Sequence, residues 1–113
     1  MRTIDAQELA GMIERGERFM LINVLGEEAF RSHHIPGSRN VPLDSEDFVE
    51  RVEQMAGGKD QPIVVYCANE QCTASPQAAD RLAEAGFTQV VDFEGGMEAW
   101  EQAKHPVEKG PNV

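Results

Sequence analysis

The side chains with the most reactive chemistry in this 113-residue chain are its two cysteines, Cys67 and Cys72. Cys67 directly follows Ile63-Val64-Val65-Tyr66, a β-branched run after Pro62 that predicts a short buried strand. A helix is predicted to begin eight residues further on, with Ser75 as N-cap and Pro76 at the first helical position. In open α/β sheets, ligands bind beyond the carboxyl ends of the strands. A helix that starts there brings unpaired N–H groups and the positive end of its dipole. Both favour an anion, and the thiolate is the reactive form of cysteine. Ala68, Asn69, Thr73 and Ala74 are small enough for the loop to close, so that its N–H groups converge on the sulfur. The plain alternative is a cysteine that serves as a small buried apolar side chain.

The loop Cys67-Ala68-Asn69-Glu70-Gln71-Cys72-Thr73-Ala74 contains no Arg, Lys or Gly. Glu70 beside the sulfur would raise the thiol pKa and repel anionic donors; turned to solvent, it would do neither. Cys72 has three readings. It can attack an oxidised or persulfidated Cys67 and close a disulfide, carry sulfur itself, or simply line the loop. Closure needs Cα atoms within about 7 Å and aligned Cβ vectors. Two cysteines make neither a disulfide framework nor a closed zinc site, and His33, His34 and His105 lie far off in sequence. No metal and no cofactor is expected.

The elements that must position this loop read as α/β, with short apolar runs alternating with helical stretches. Asp5 caps a short helix carrying Leu9, Ala10, Met12 and Ile13. Phe19 to Leu25 is a near-continuous apolar run, as suits a strand buried on both faces. Glu27 to Ser32 predicts one or two helical turns, His34-Ile35-Pro36-Gly37-Ser38 a turn, and Arg39 to Pro42 a very short strand. Asp44 or Ser45 is the predicted cap of a helix whose Phe48, Val49, Val52, Met55 and Ala56 form an apolar stripe that Gly57-Gly58 ends. Ala78, Ala79, Leu82 and Ala85 give the buried face of the helix after the cysteine loop, and Gly86 stops it. Val90 to Phe93 is another strand. Gly95-Gly96 turns the chain into a last helix, with Met97 and Trp100 expected in the core. Residues from about 105 to 113 are expected to be a loose tail on a single domain spanning 1–113.

Three segments together resemble the rhodanese family. They are Tyr66-Cys67 with Ser75-Pro76-Gln77-Ala78-Ala79-Asp80-Arg81-Leu82, LINVLGEEAF followed by HIPGSRNVPL, and EGGMEAW. Each is short, but in order they span nearly the whole chain. The resemblance implies a central parallel sheet of about five strands with helices on both faces. It implies sulfur transfer: Cys67 takes a sulfane sulfur from a donor, becomes a persulfide and passes the sulfur to a thiol or protein acceptor, which is covalent ping-pong catalysis. Thiosulfate or a persulfide is the implied donor. Ala68, Asn69, Glu70, Gln71, Thr73, Ala74 and Ser75 become the implied active-site loop, with Cys72 an assisting residue, as in a subset of the family. His34 becomes an architectural residue that ties its turn. The chain departs from the pattern in its loop, longer by one or two residues and lacking the usual Gly and Arg, and in Asn23-Val24-Leu25 where Asp-Val-Arg is usual. Rhodanese-fold phosphatases and arsenate reductases also have an enlarged loop, but clamp their oxyanion with an Arg. A non-catalytic rhodanese-like binding module is the other alternative.

Ten basic and twenty acidic residues give a net charge of −10. That argues against nucleic-acid binding, which needs a basic footprint. It also repels small anions at long range, so activity with thiosulfate is expected to be weak. No apolar run approaches a membrane span, and the N-terminus lacks the apolar stretch of a signal peptide. A cytoplasmic monomer is the default expectation.

Overall fold

The computed structural model describes residues 2–111. Three mainly apolar strands and two two-residue edge strands form one parallel sheet: β1 (Arg2–Thr3), β2 (Met20–Asn23), β3 (Arg39–Asn40), β4 (Ile63–Tyr66) and β5 (Val90–Phe93), in the order β1-β5-β4-β2-β3. The predicted five-stranded α/β architecture is therefore present. β4 lies at the centre, and all four of its residues are buried. Its register aligns Tyr66 with Asn23 on one side and Phe93 on the other, so β2, β4 and β5 end level.

Alternation along β4 divides the core. Ile63, Val65 and then Cys67 join Ile22, Phe48, Val52, Ala78 and Leu82, under helices α3 (Phe48–Ala56) and α4 (Ala74–Glu84). Val64 and Tyr66 join Leu9, Ile35, Phe93, Met97 and Trp100, under α1 (Ala6–Glu14) and α5 (Gly96–Gln102). A shorter helix, α2 (Glu27–Ser32), buries Phe30. Met97 and Trp100 are core residues, as expected. Asp5 caps α1 as predicted, its side chain accepting from Glu8 N–H at 2.8 Å.

The structure differs from the sequence reading at four places. β1 was not anticipated; two exposed residues carry no apolar pattern, and main-chain pairing with β5 alone defines the strand. α3 begins at Phe48 rather than after Asp44 or Ser45, because residues before it form turns closed by Ser45 N–H to Pro42 O and Phe48 N–H to Ser45 O. α4 begins at Ala74, with Thr73 as its cap residue; Ser75 and Pro76 lie inside the first turn. The segment after residue 104 is not loose as far as it is described. His34 and Glu108 exchange main-chain hydrogen bonds at 2.9 Å, Gly110 N–H reaches Arg31 O, and Trp100 Nε1 donates to Pro106 O at 2.7 Å. Residues 112–113 lie outside the described residues.

The His34–Ser38 turn is fastened from several sides. His34 stacks on Phe30 with ring centroids 3.8 Å apart, and its Nδ1 lies 2.8 Å from Phe30 O. Tyr66 Oη accepts from Ile35 N–H and lies 2.8 Å from Ser38 Oγ. Burial raises the Tyr66 hydroxyl pKa, so the group stays protonated and able to donate.

Candidate active site

Cys67 is the first residue past β4, 1% exposed, with its side chain on the α3/α4 face. Its loop is held at the root by α5. Met97 N–H donates to Cys67 O at 3.0 Å, and Glu98 N–H to Ala68 O at 2.9 Å. Gly96 permits this approach: its φ is +60°, and a Cβ there would lie 2.8 Å from Ala68 C and 2.9 Å from Asn69 N. Only a residue without a side chain fits both the backbone conformation and the space.

Past its root, the loop closes on itself. Asn69 Oδ1 accepts from Gln71 N–H at 3.0 Å and Cys72 N–H at 3.1 Å, and Asn69 O also accepts from Cys72 N–H. This side-chain turn curls the chain until the Cα atoms of Cys67 and Cys72 are 6.5 Å apart, and the two sulfurs are joined as a disulfide.

Of the residues anticipated for the site, the structure gathers Cys67, Cys72 and Ser75. Ser75 Oγ lies 3.4 Å from Cys67 Sγ, and Ser75 is buried inside the first turn of α4. That contact explains why it is not a helix cap, since its hydroxyl faces the sulfur. Ala68 and Asn69 are half-buried, and Asn69 acts through the turn it makes. Ala74 is half-buried in the first turn of α4. Glu70, Gln71 and Thr73 are exposed, so Glu70 faces solvent rather than the sulfur. Among the described residues, no cluster of His, Cys, Asp and Glu could hold a metal ion.

The sequence reading missed Asp92. Its side chain comes from β5, is 2% exposed, and hydrogen-bonds to the Ser75 hydroxyl. Its Oδ1 has no partner among the described residues. Burial raises the carboxyl pKa, the neighbouring charges of Glu94 and Asp80 add to this, and the Ser75 hydrogen bond opposes it. Asp92, Ser75 and Cys67 thus form a chain of polar atoms leading to the sulfur. An acidic residue within the apolar run Val90-Val91-Asp92-Phe93 was the available signal.

Leu25 sits between two shallow grooves that flank the loop. One, with Ala68 and Met97 on its wall, has Glu98, Glu101 and His33 along its rim. His33 Nε2 lies 3.2 Å from Glu101. The other contains Ala74, Gln77 and Arg81, with the Arg81 guanidinium donating to Leu43 O. Leu25 is placed by Asn23, whose Oδ1 accepts from Leu25 N–H at 2.9 Å, and by Asn40, which donates to Leu25 O. Asn23 is thus a buried structural residue.

A strand-end cysteine held against a helix's first turn, in a parallel sheet of this order, can act as a nucleophile once reduced. The Rhodanese-like domain family matches residues 5–103. The chain is 33% identical over 110 residues to an HTH-type transcriptional regulator, Rv0324, of Mycobacterium tuberculosis, covering 97% of this chain but 46% of the regulator, so it spans just under half of that relative's length. It is 32% identical over 110 residues to the thiosulfate sulfurtransferase GlpE of Pseudomonas savastanoi pv. phaseolicola, covering 95% of this chain and 92% of that one. The crystal structure of the Alr3790 protein from Anabaena sp. superposes with a TM-score of 0.83 at 31% identity, over 95% of this chain and 92% of that one. No helix among the described residues is long and apolar enough to cross a membrane. The chain belongs to the rhodanese-like domain family.

Proposed function

We propose that this protein is a sulfurtransferase or persulfide carrier in which reduced Cys67 is the nucleophile. The observation that carries this is the position of Cys67: buried past β4, facing the first turn of α4 and within reach of the Ser75 hydroxyl. The Cys67 thiolate attacks the outer sulfur of a sulfane donor. Sulfite leaves from thiosulfate, or a thiolate from a small persulfide, and Cys67 holds the new sulfur as a persulfide. An acceptor thiolate then attacks that outer sulfur and frees Cys67. α4 presents its first N–H groups at this end of the sheet, where an anionic sulfur is favoured.

The donor and acceptor classes follow from charge. The loop has no cation, one groove beside it is rimmed by Glu98 and Glu101, and the chain carries a net charge of −10. A thiol or protein partner suits this surface better than free thiosulfate, for which activity is weak. The missing loop Arg also disfavours phosphatase or arsenate reductase chemistry.

To test this, reduced protein is treated with thiosulfate or a small persulfide and examined promptly by mass spectrometry. One sulfur atom added at Cys67, and none in Cys67→Ala, is the expected result. No adduct with any donor would sink the proposal.

A second reading, a non-catalytic binding module, is favoured by the match of nearly the whole chain to part of a transcriptional regulator. It predicts a Cys67 whose alkylation rate follows the pH dependence of a free thiol. A clearly lowered apparent pKa counts against it.

A further inference from the structure

We propose that Cys72 is a resolving thiol, so that the protein converts sulfane sulfur to hydrosulfide and closes the Cys67–Cys72 disulfide. The inference rests on Cys67 as the persulfide-bearing residue and adds the product of that site. Its basis is the folded loop. Asn69 receives the Cys72 N–H, α5 holds the Cys67 and Ala68 carbonyls, and the two sulfurs are bonded within this arrangement. The loop therefore brings Cys72 to the Cys67 sulfur itself, which is the inner sulfur of a Cys67 persulfide.

Attack at the inner sulfur has one outcome. The Cys72 sulfur bonds to Cys67 Sγ, the bond from Cys67 Sγ to the outer sulfur breaks, and the outer sulfur leaves with that electron pair. The Cys72 thiol proton leaves with it, giving hydrosulfide. The sulfane sulfur is reduced by two electrons and the cysteine pair is oxidised by two. A dithiol reductant then exchanges with the Cys67–Cys72 disulfide, restoring both thiols and becoming a disulfide itself. Attack within one short loop gains from proximity over attack by a dissolved thiol. It also needs no acceptor to approach a buried cysteine past the acidic groove rim.

The experiment is a single turnover without oxygen. Fully reduced chain, freed of reductant, receives one equivalent of thiosulfate or of a small persulfide. Hydrosulfide is trapped with a bimane reagent, and the protein is mapped for adducts and disulfides over time. Wild type is expected to release one hydrosulfide per sulfur loaded and to form the Cys67–Cys72 disulfide. Cys72→Ser and Cys72→Ala are expected to keep the sulfur on Cys67 and to release hydrosulfide roughly tenfold or more slowly. Two substitutions, each checked for folding by circular dichroism, separate the missing thiol from a damaged loop. If wild type and both variants retain the persulfide alike, or release hydrosulfide at equal rates, the resolving role is overturned while sulfur transfer stands. If no form takes up sulfur, both readings fall. Disulfide without matching hydrosulfide also overturns the resolving role, because the electrons then went elsewhere.

Discussion

The turn His34–Ser38 and the loop Cys67–Thr73 are both irregular segments fixed by hydrogen bonds, yet they are fixed in opposite ways. The turn is tied along its length by groups from elsewhere: Tyr66 from β4, Phe30 from α2, and Glu108 from the far end of the chain. His34, Ile35 and Ser38 are buried. The cysteine loop is tied to the fold at its root, where α5 takes the Cys67 and Ala68 carbonyls, and beyond that mainly to itself through Asn69. Its tip, Glu70 and Gln71, is exposed. The first arrangement gives one geometry. The second fixes Cys67 from the fold and Cys72 from within the loop.

Gly96→Ala strikes the root of the loop and should have the largest effect. The left-handed backbone there costs a side-chain-bearing residue about 1–3 kcal/mol, and the added Cβ meets the Ala68 and Asn69 backbone as well. Chemical denaturation should show a loss of at least that size, and sulfur loading of Cys67 should slow roughly tenfold or more as the sulfur is misplaced. Tyr66→Phe strikes the turn instead. It leaves Ile35 N–H without its acceptor and Ser38 Oγ with only the Ile35 carbonyl, and should cost about 1–3 kcal/mol. Loading should change far less than stability does. A loading defect as large as that of Gly96→Ala would show that the two segments are not independent.

Asn69→Ala should divide the loop's own functions. The lost side-chain acceptor costs about 0.5–1.5 kcal/mol. Disulfide closure, followed as thiol loss after mild oxidation, should slow by more than sulfur loading does. Equal slowing would mean that the turn serves the nucleophile rather than its partner.

Asp92→Asn should have the smallest effect and one that depends on pH. Burial raises the Asp92 carboxyl pKa, so the folded chain holds that proton more tightly than the unfolded chain. The stability this group contributes is full below the ordinary carboxylate range and falls as pH rises through the folded pKa. The amide cannot ionise and escapes that fall. Thermal unfolding should therefore show the variant gaining on wild type from acid to neutral pH, and a gap that widened toward acid would contradict the assignment.

How much of this was legible in the sequence depended on whether a side-chain pattern or the main chain did the work. β4, the stripe of α3 and the buried face of α4 have periodic apolar residues, and they appear where the pattern put them. The place of Cys67 was legible for the same reason, since a buried strand and a helix start bracket it. β1 and the docked segment around Glu108 rest mainly on main-chain pairing, which leaves no mark on residue type. Ser75 has the composition of a cap, but the sulfur and the Asp92 carboxyl beside it outcompete that local role. Asn69 is a residue known to fold back on its own backbone, so the curl of the loop was readable in principle. That the curl brings the Cys72 sulfur within bonding reach of Cys67 needed the three-dimensional path.

The helix that holds the root of the loop also carries Trp100, the only tryptophan in the chain. Trp100 lies one turn along α5 from the N–H groups bound to the Cys67 and Ala68 carbonyls, packed edge-on against Phe93 and beside His105. A shift of the Cys67 and Ala68 carbonyls would be felt by this helix through the N–H groups that hold them. Trp100 is thus placed as an optical probe of the loop: its emission is expected to differ between the dithiol and disulfide forms, with no label attached.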